Sequence, residues 1–138
     1  MLRSAVRAAG LEDDPRPRLE ASPTGVIRTD AVRLRLILIN LLTNADRHTP
    51  AGGTIDLTAQ GVSPHVTFAV RDSGSSLDAD QLSRVFDRFY RADPSRPRAT
   101  GGAGLGLAIV KRLAEAMGGW VVAESDASSV TVRVALPG

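Results

Sequence analysis

Residues 31–42, AVRLRLILINLL, form the longest apolar run in the chain. Its spacing predicts a buried helix from Ala31 to His48, capped by Asp30 and ended by Pro50 and Gly52-Gly53. That helix carries two amides one turn apart, Asn40 and Asn44, followed by Arg47 and His48. A buried amide without a partner costs on the order of 1–3 kcal/mol, so something polar has to face these side chains. Asn40, Asn44 and Arg47 are spaced i, i+4, i+7 and share one stripe, with His48 beside Asn44 on the next turn. An amide oxygen is a hard neutral ligand that suits Mg²⁺, and the planar guanidinium suits phosphate. A core helix whose Asn side chains bond neighbouring backbone fits the same pattern, and the stripe alone leaves both readings open.

The rest of the chain predicts a sheet. RLEAS and VIRT are short strand candidates around the turn SPTG. TIDLTAQ alternates Ile55, Leu57 and Ala59, and HVTFAVRD alternates Val66, Phe68 and Val70, a hairpin around GVSP. WVVAES and SVTVRVAL form a last hairpin with Val130, Val132, Val134 and Leu136 on one face. Helices are expected over residues 2–9, over DADQLSRVFDRFY with Asp78 near its start, and over LGLAIVKRLAEAM, closed by Gly118-Gly119. RADPSRPRATGGAG has no periodicity and reads as a mobile loop. The expected fold is α+β: a two-layer sandwich with a mixed, mostly antiparallel sheet of about five strands and helices on one face.

Composition removes several function classes. At 138 residues the chain is expected to be one domain with a full core. A net charge of +2, with 16 Arg and one Lys spread along the chain and aromatics at 4%, forms no basic arm and argues against nucleic acid. With no Cys, disulfides and thiolate metal sites are excluded. No run spans a bilayer and no signal peptide is read, so a soluble, cytoplasmic fragment is expected.

Three further stretches carry chemistry. RDSGSSL, after a strand, is either an ordinary Asp-Ser-Gly turn or a carboxylate, Asp72, held at a pocket wall to accept from a ligand amino group. VFDRFYR gathers Phe86, Phe89 and Tyr90, which read as local core and as an anchor for the following loop. GGAGLGLAIV places Gly101, Gly102, Gly104 and Gly106 at the start of an amphipathic helix. Glycine weakens a helix by about 1 kcal/mol relative to Ala, so four in six residues need a reason. Close backbone approach to a phosphate at a helix N-terminus is one; a flexible loop before a helix is the other. The spacing is neither a P-loop nor G-x-G-x-x-G.

These four signals come in a fixed order, and in that order the chain resembles the catalytic, ATP-binding domain of sensor histidine kinases. Their superfamily also holds DNA gyrase, Hsp90 and MutL. NLLTNADRHTP resembles the N box, DSGSSL the first glycine box, VFDRFYR the F box and GGAGLGL the second glycine box. The resemblance covers roughly residues 15–138, leaving 1–14 as a connector or a remnant of a helical phosphoacceptor domain. It implies a Bergerat-type fold with ATP between the amide helix and a flexible lid. By resemblance, Asn44 coordinates Mg²⁺, Asn40 supports the same site, Arg47 touches the phosphates and His48 lines the pocket. Asp72 accepts from the adenine amino group, and Gly74 leaves room for the base. Leu77 and Tyr90 complete the nucleotide site. Gly102, Gly104 and Gly106 form the lid hinge and helix start, with Leu105 and Leu107 seating that helix.

Hydrolytic members of the superfamily carry a Glu near the position of Asn40. Asn40 cannot act as a base, which fits transfer of the γ-phosphate to a histidine rather than hydrolysis. The two histidines, His48 and His65, sit in no acceptor motif. The resemblance therefore implies a separate dimeric helical domain that bears the acceptor, a downstream response regulator, and a monomeric fragment of a dimeric two-component kinase. Two positions depart from the pattern. Ser76 replaces the second glycine of the first box, and Asp87 replaces the usual Glu of the F box. A degenerate pseudokinase acting as a protein-interaction module is the alternative, with an anti-sigma type serine kinase as a third reading.

Overall fold

The structure, a computed structural model, describes residues 2–21, 29–62, 65–87 and 106–137. The elements are α1 (Leu2–Ala8), β1 (Pro17–Ala21), α2 (Ala31–His48), β2 (Ile55–Val62), β3 (His65–Ser73), α3 (Ala79–Arg84), α4 (Gly106–Ala116), β4 (Trp120–Ser125) and β5 (Ser129–Pro137). One five-stranded sheet runs in the order β1-β2-β3-β5-β4. β1 and β2 are parallel and every other pair is antiparallel. A parallel pair needs a long crossover, and α2 lies within it. The expected mixed sheet with a helical layer is what forms.

α2 begins and ends where its sequence says. The Asp30 side chain accepts from the N–H of Val32 at 3.0 Å and of Arg33 at 3.1 Å, a cap worth about 1 kcal/mol. Thr49, in extended conformation, closes the other end. Leu34, Ile37, Leu38, Leu41, Leu42 and Ala45 turn inward at helical spacing. They meet the inward residues of the strands, Ile55, Leu57, Val66, Phe68, Val70, Val132, Val134 and Leu136, in one core. Register makes that inner face continuous, since Phe68 pairs with Val134 and Val70 with both Leu57 and Val132. Residues Ala5, Val6 and Leu11 join the same core. The N-terminal segment therefore docks on α2 rather than standing apart from the domain.

Several expected boundaries differ. The helix expected over DADQLSRVFDRFY ends at Arg84, and Val85 to Asp87 form a turn. Val85 is buried and Phe86 packs against the core, so their apolar character serves tertiary contacts instead of a longer helix. The strands around GVSP run to Val62 and resume at His65, which takes Gly61 and Val62 into β2. α4 stops at Ala116, one residue before Met117, and its expected start at Leu105 lies outside the described residues. Of VIRT, residues 26–28 lie outside the described residues and Thr29 belongs to no strand.

Candidate functional site

A cavity of about 270 Å³ opens between the end of α2, the far end of β3, the α3 segment and the start of α4. α2 contributes Asn44 and His48, the turn after β3 contributes Gly74 to Leu77, and α4 contributes Leu107. Asp72 forms part of the wall. Of the residues singled out in the sequence, Asn44, His48, Asp72, Gly74, Leu77 and Leu107 thus come together.

Asn40 and Arg47 do not line the cavity. They sit beside it, where a Cβ added to Gly106 would lie 3.6 Å from Asn40 Oδ1 and 3.6 Å from Arg47 Nη2. The Asn40 amide also donates to the Leu36 carbonyl at 2.8 Å, one turn back on its own helix. The polar stripe of α2 therefore splits. Asn44 and His48 face the cavity, while Asn40 and Arg47 face the first turn of α4. Tyr90, Gly102, Gly104 and Leu105, with Phe89 and the expected loop, lie outside the described residues.

Asp72 is the chemically unusual group. Register with Ile55 and Val130 puts it on the inner face of the sheet, and it is 4% exposed. Desolvation raises its carboxyl above the ordinary value. The Ser75 hydroxyl, the Val130 backbone and the charge of Arg71 offset part of that rise. Ser75 donates to Asp72 Oδ1 at 2.6 Å. The folded chain holds this proton more tightly than the unfolded chain does. Ionised Asp72 therefore costs stability above its folded pKa. The cost fades as pH falls through that value and is gone below the unfolded one.

The turn beside Asp72 is held firmly. Gly74 N–H donates to the Ser128 carbonyl at 2.8 Å, and Leu77 N–H donates to Ser125 Oγ at 2.9 Å. Both bonds tie it to the β4–β5 hairpin. α3 then starts with a reciprocal cap: Gln81 N–H donates to Asp78 Oδ1 at 2.8 Å, and Asp78 N–H donates to Gln81 Oε1 at 3.0 Å. Gly74 has φ of 87°, and a Cβ there would come 2.8 Å from Pro50 Cδ. The resemblance implies room for a base at Gly74, and Pro50 gives the fold its own reason for glycine there.

The sequence passed over Ser75, Gln81, Val85 and Ala123 as lining residues. A signal existed for Ala123, which β4–β5 register pairs with Val132 and so places on the inner face. None existed for Gln81 or Val85, which reach the cavity through the tertiary placement of α3. Among the described residues, no group of three or more His, Cys, Asp or Glu side chains could hold a metal ion.

Residues 29–138 match the family model described as histidine kinase-, DNA gyrase B-, and HSP90-like ATPase. The chain is 45% identical over 108 residues to the sensor histidine kinase CusS of Escherichia coli strain K12, covering 78% of this chain and 22% of that protein. The structure superposes on the mycobacterial sensor histidine kinase MprB with a TM-score of 0.84 at 26% identity, covering 99% of this chain and 93% of that one. It superposes on full-length ShkA in complex with AMPPNP with a TM-score of 0.81 at 32% identity, covering 99% of this chain and 28% of that one. This chain thus spans under a third of the length of CusS and of ShkA.

Proposed function

The chain belongs to the histidine kinase-, DNA gyrase B-, and HSP90-like ATPase family, and from that premise we propose that it is the ATP-binding catalytic domain of a sensor histidine kinase. It transfers the γ-phosphate of ATP to a histidine on a separate, dimeric helical domain, which passes it to a response regulator. One observation carries the reading. A single cavity has an amide and an imidazole on one wall, Asn44 and His48, and a buried carboxylate, Asp72, on the other. Its volume of about 270 Å³ falls just below the usual range for ligand pockets, about 300–1,000 Å³. It suits the nucleoside end of ATP, with the phosphates reaching out toward Gly106.

In this reading Asp72 accepts from the adenine amino group, and the Ser75 hydroxyl keeps the carboxylate oriented. A burial that costs the fold stability is repaid when a donor arrives. A proton competes with that donor, so binding weakens at low pH. Arg47, beside Gly106 at the start of α4, meets the phosphates. Asn40 shares that position and offers no base, which fits transfer of the γ-phosphate to the acceptor histidine better than hydrolysis. Mg²⁺ fits as an ion carried mainly by phosphate oxygens and waters, with the Asn44 amide oxygen as the protein ligand; when bound it neutralises charge on the phosphates. Leu77, Gly74 and Tyr90 belong to the nucleotide site, Gly102, Gly104 and Gly106 to the lid hinge and helix start, and Leu105 and Leu107 seat that helix.

Residues 1–14 connect to the helical acceptor domain, and neither His48 nor His65 sits in an acceptor motif. No helix among the described residues is long and apolar enough to cross a membrane; the domain works on the cytoplasmic side of its kinase, as a monomer unless the acceptor domain pairs it. No observation favours the interaction-module alternative over this one. Calorimetric titration with ATP, with and without Mg²⁺, tests the reading. ATP should bind in preference to GTP and more tightly with Mg²⁺. Labelled ATP should leave this chain unlabelled and place acid-labile phosphate on an added helical acceptor domain. No ATP binding under either condition refutes the assignment.

A further inference from the structure

Outside the cavity, one side-chain cluster is built more completely than a surface salt bridge needs to be. Arg16 lies between α1 and β1 and its side chain is 12% exposed. Its Nε and Nη2 donate to the two carboxylate oxygens of Asp14 at 2.9 and 2.7 Å. Nη2 also donates to Asp46 Oδ1 at 2.5 Å. Nη1 donates to the Thr49 carbonyl at 2.5 Å and, more weakly, to the Asp46 carbonyl at 3.5 Å. A guanidinium has five N–H donors, and these contacts employ all of them. The Arg16 carbonyl accepts from Ile55 N–H at 2.9 Å, fixing its backbone to the start of β2.

Asp46 and Thr49 bracket the last turn of α2. The carbonyls at a helix C-terminus lack partners within the helix, and that end carries partial negative charge. Asp46 adds a full negative charge there. Arg47 and His48 are basic and in the same turn, but they are directed to the α4 side and to the cavity. Arg16 brings a further cation onto this helix end from another segment. The next residue, Pro50, is the one a Gly74 side chain would strike. One chain of contacts therefore runs from Arg16 through Thr49 and Pro50 to the turn beside Asp72.

We propose that Arg16 is a positioning residue for the nucleotide site: by capping α2 from outside, it fixes the helix end that holds Asn44 and His48 in the cavity and the Thr49-Pro50 step that backs Gly74. This deepens the proposed function and rests on it. Asp14 holds the guanidinium in place from the connector side, so the position of the connector is felt at the site through one side chain.

The test compares Arg16→Met, which keeps the stem without donors, and Arg16→Lys, which keeps the charge without the fork. Affinity for a β,γ-imido ATP analogue with Mg²⁺ is measured by calorimetry, and amide exchange is followed along the chain. Arg16→Met should weaken binding at least tenfold and Arg16→Lys by less. Exchange of the Thr49 amide, which donates to the Ala45 carbonyl, should quicken at least tenfold while β3 and β5 amides keep native rates. If Arg16→Met does not fold, Arg16→Lys decides by the same criteria. Affinity within twofold of native in the folded variant overturns the proposal. Exchange that quickens uniformly through the sheet also overturns it, because that is the mark of a merely structural residue. If the native chain fails to bind the analogue, the functional reading falls instead, and the exchange data still judge Arg16.

Discussion

Replacing Gly74 by alanine perturbs the cavity wall in a way whose size can be worked out. Gly74 has φ of 87°, a region that costs an L-residue roughly 1–2 kcal/mol. The new Cβ would lie 2.8 and 2.9 Å from Pro50 Cδ and Cγ, against about 3.5–4.0 Å for comfortable carbon contacts. Overpacking of this kind costs about 1–3 kcal/mol. Loss of unfolded-state freedom returns about 0.4–1 kcal/mol. The net expectation is a destabilisation of roughly 3 kcal/mol, a large part of the roughly 5–15 kcal/mol that holds a domain of this kind together. Urea denaturation of Gly74→Ala, Pro50→Ala and the double variant measures it. The crowding part should vanish in the double variant, giving a coupling of about 1–3 kcal/mol, while the backbone part stays. Because Pro50 follows the end of α2 and Gly74 follows Asp72, the same variant should also weaken nucleotide binding. A destabilisation below about 0.5 kcal/mol, or no coupling to Pro50, refutes the reasoning.

Four further outcomes are expected. Asn44→Ala and Asn44→Asp should each lower Mg²⁺-dependent transfer to an added acceptor domain by at least about 100-fold with the circular dichroism spectrum unchanged; native rates in both sink the metal-ligand role. Asp72→Asn should weaken ATP binding by about 1–3 kcal/mol, or 5- to 150-fold. It should also raise stability at pH 7, with the gain disappearing below about pH 4 where the unfolded carboxyl is protonated; denaturation at both pH values and a titration check the pair. Ser76, exposed on the cavity lining, should lower affinity by crowding the base side, so Ser76→Gly should tighten ATP binding in calorimetry, and unchanged affinity means the serine is accommodated. Gly106→Ala should leave stability unchanged or raise it by up to about 1 kcal/mol while nucleotide affinity falls, and equal affinity would remove the reason for a glycine there.

The parts legible in the sequence are those that local physics decides. The ends of α2 follow from Asp30 and Pro50, residues whose effect reaches only a turn or so. β2, β3 and β5 follow from alternation, because one face is buried and a register slip would expose it. Counting on by two from Val66, Phe68 and Val70 reaches Asp72, so the alternation that named the core also put a carboxylate on its inner face. What was hidden depends on partners distant in the chain. β1 lies parallel to β2, with Pro17 opposite Ile55, a pairing across the whole of α2 that no local pattern encodes. Val85 and Phe86 look like more helix, and their burial belongs to tertiary packing.

The amide stripe shows the same limit at the site itself. Helical spacing established that Asn40, Asn44 and Arg47 share a face, but not what lies opposite. The structure divides that face between a cavity and the first turn of α4. Glycines show the converse. Gly74 is demanded by the fold, through its φ and through Pro50, so its presence says little about a ligand. Gly106 is different. A Cβ there meets Asn40 and Arg47 at 3.6 Å, an ordinary contact, and alanine would be the better helix former. Neither sterics nor propensity within the described residues asks for glycine at that point. Any demand for glycine there lies outside the described residues, and under the proposed function it is a phosphate group approaching the N-terminus of α4 between Asn40 and Arg47.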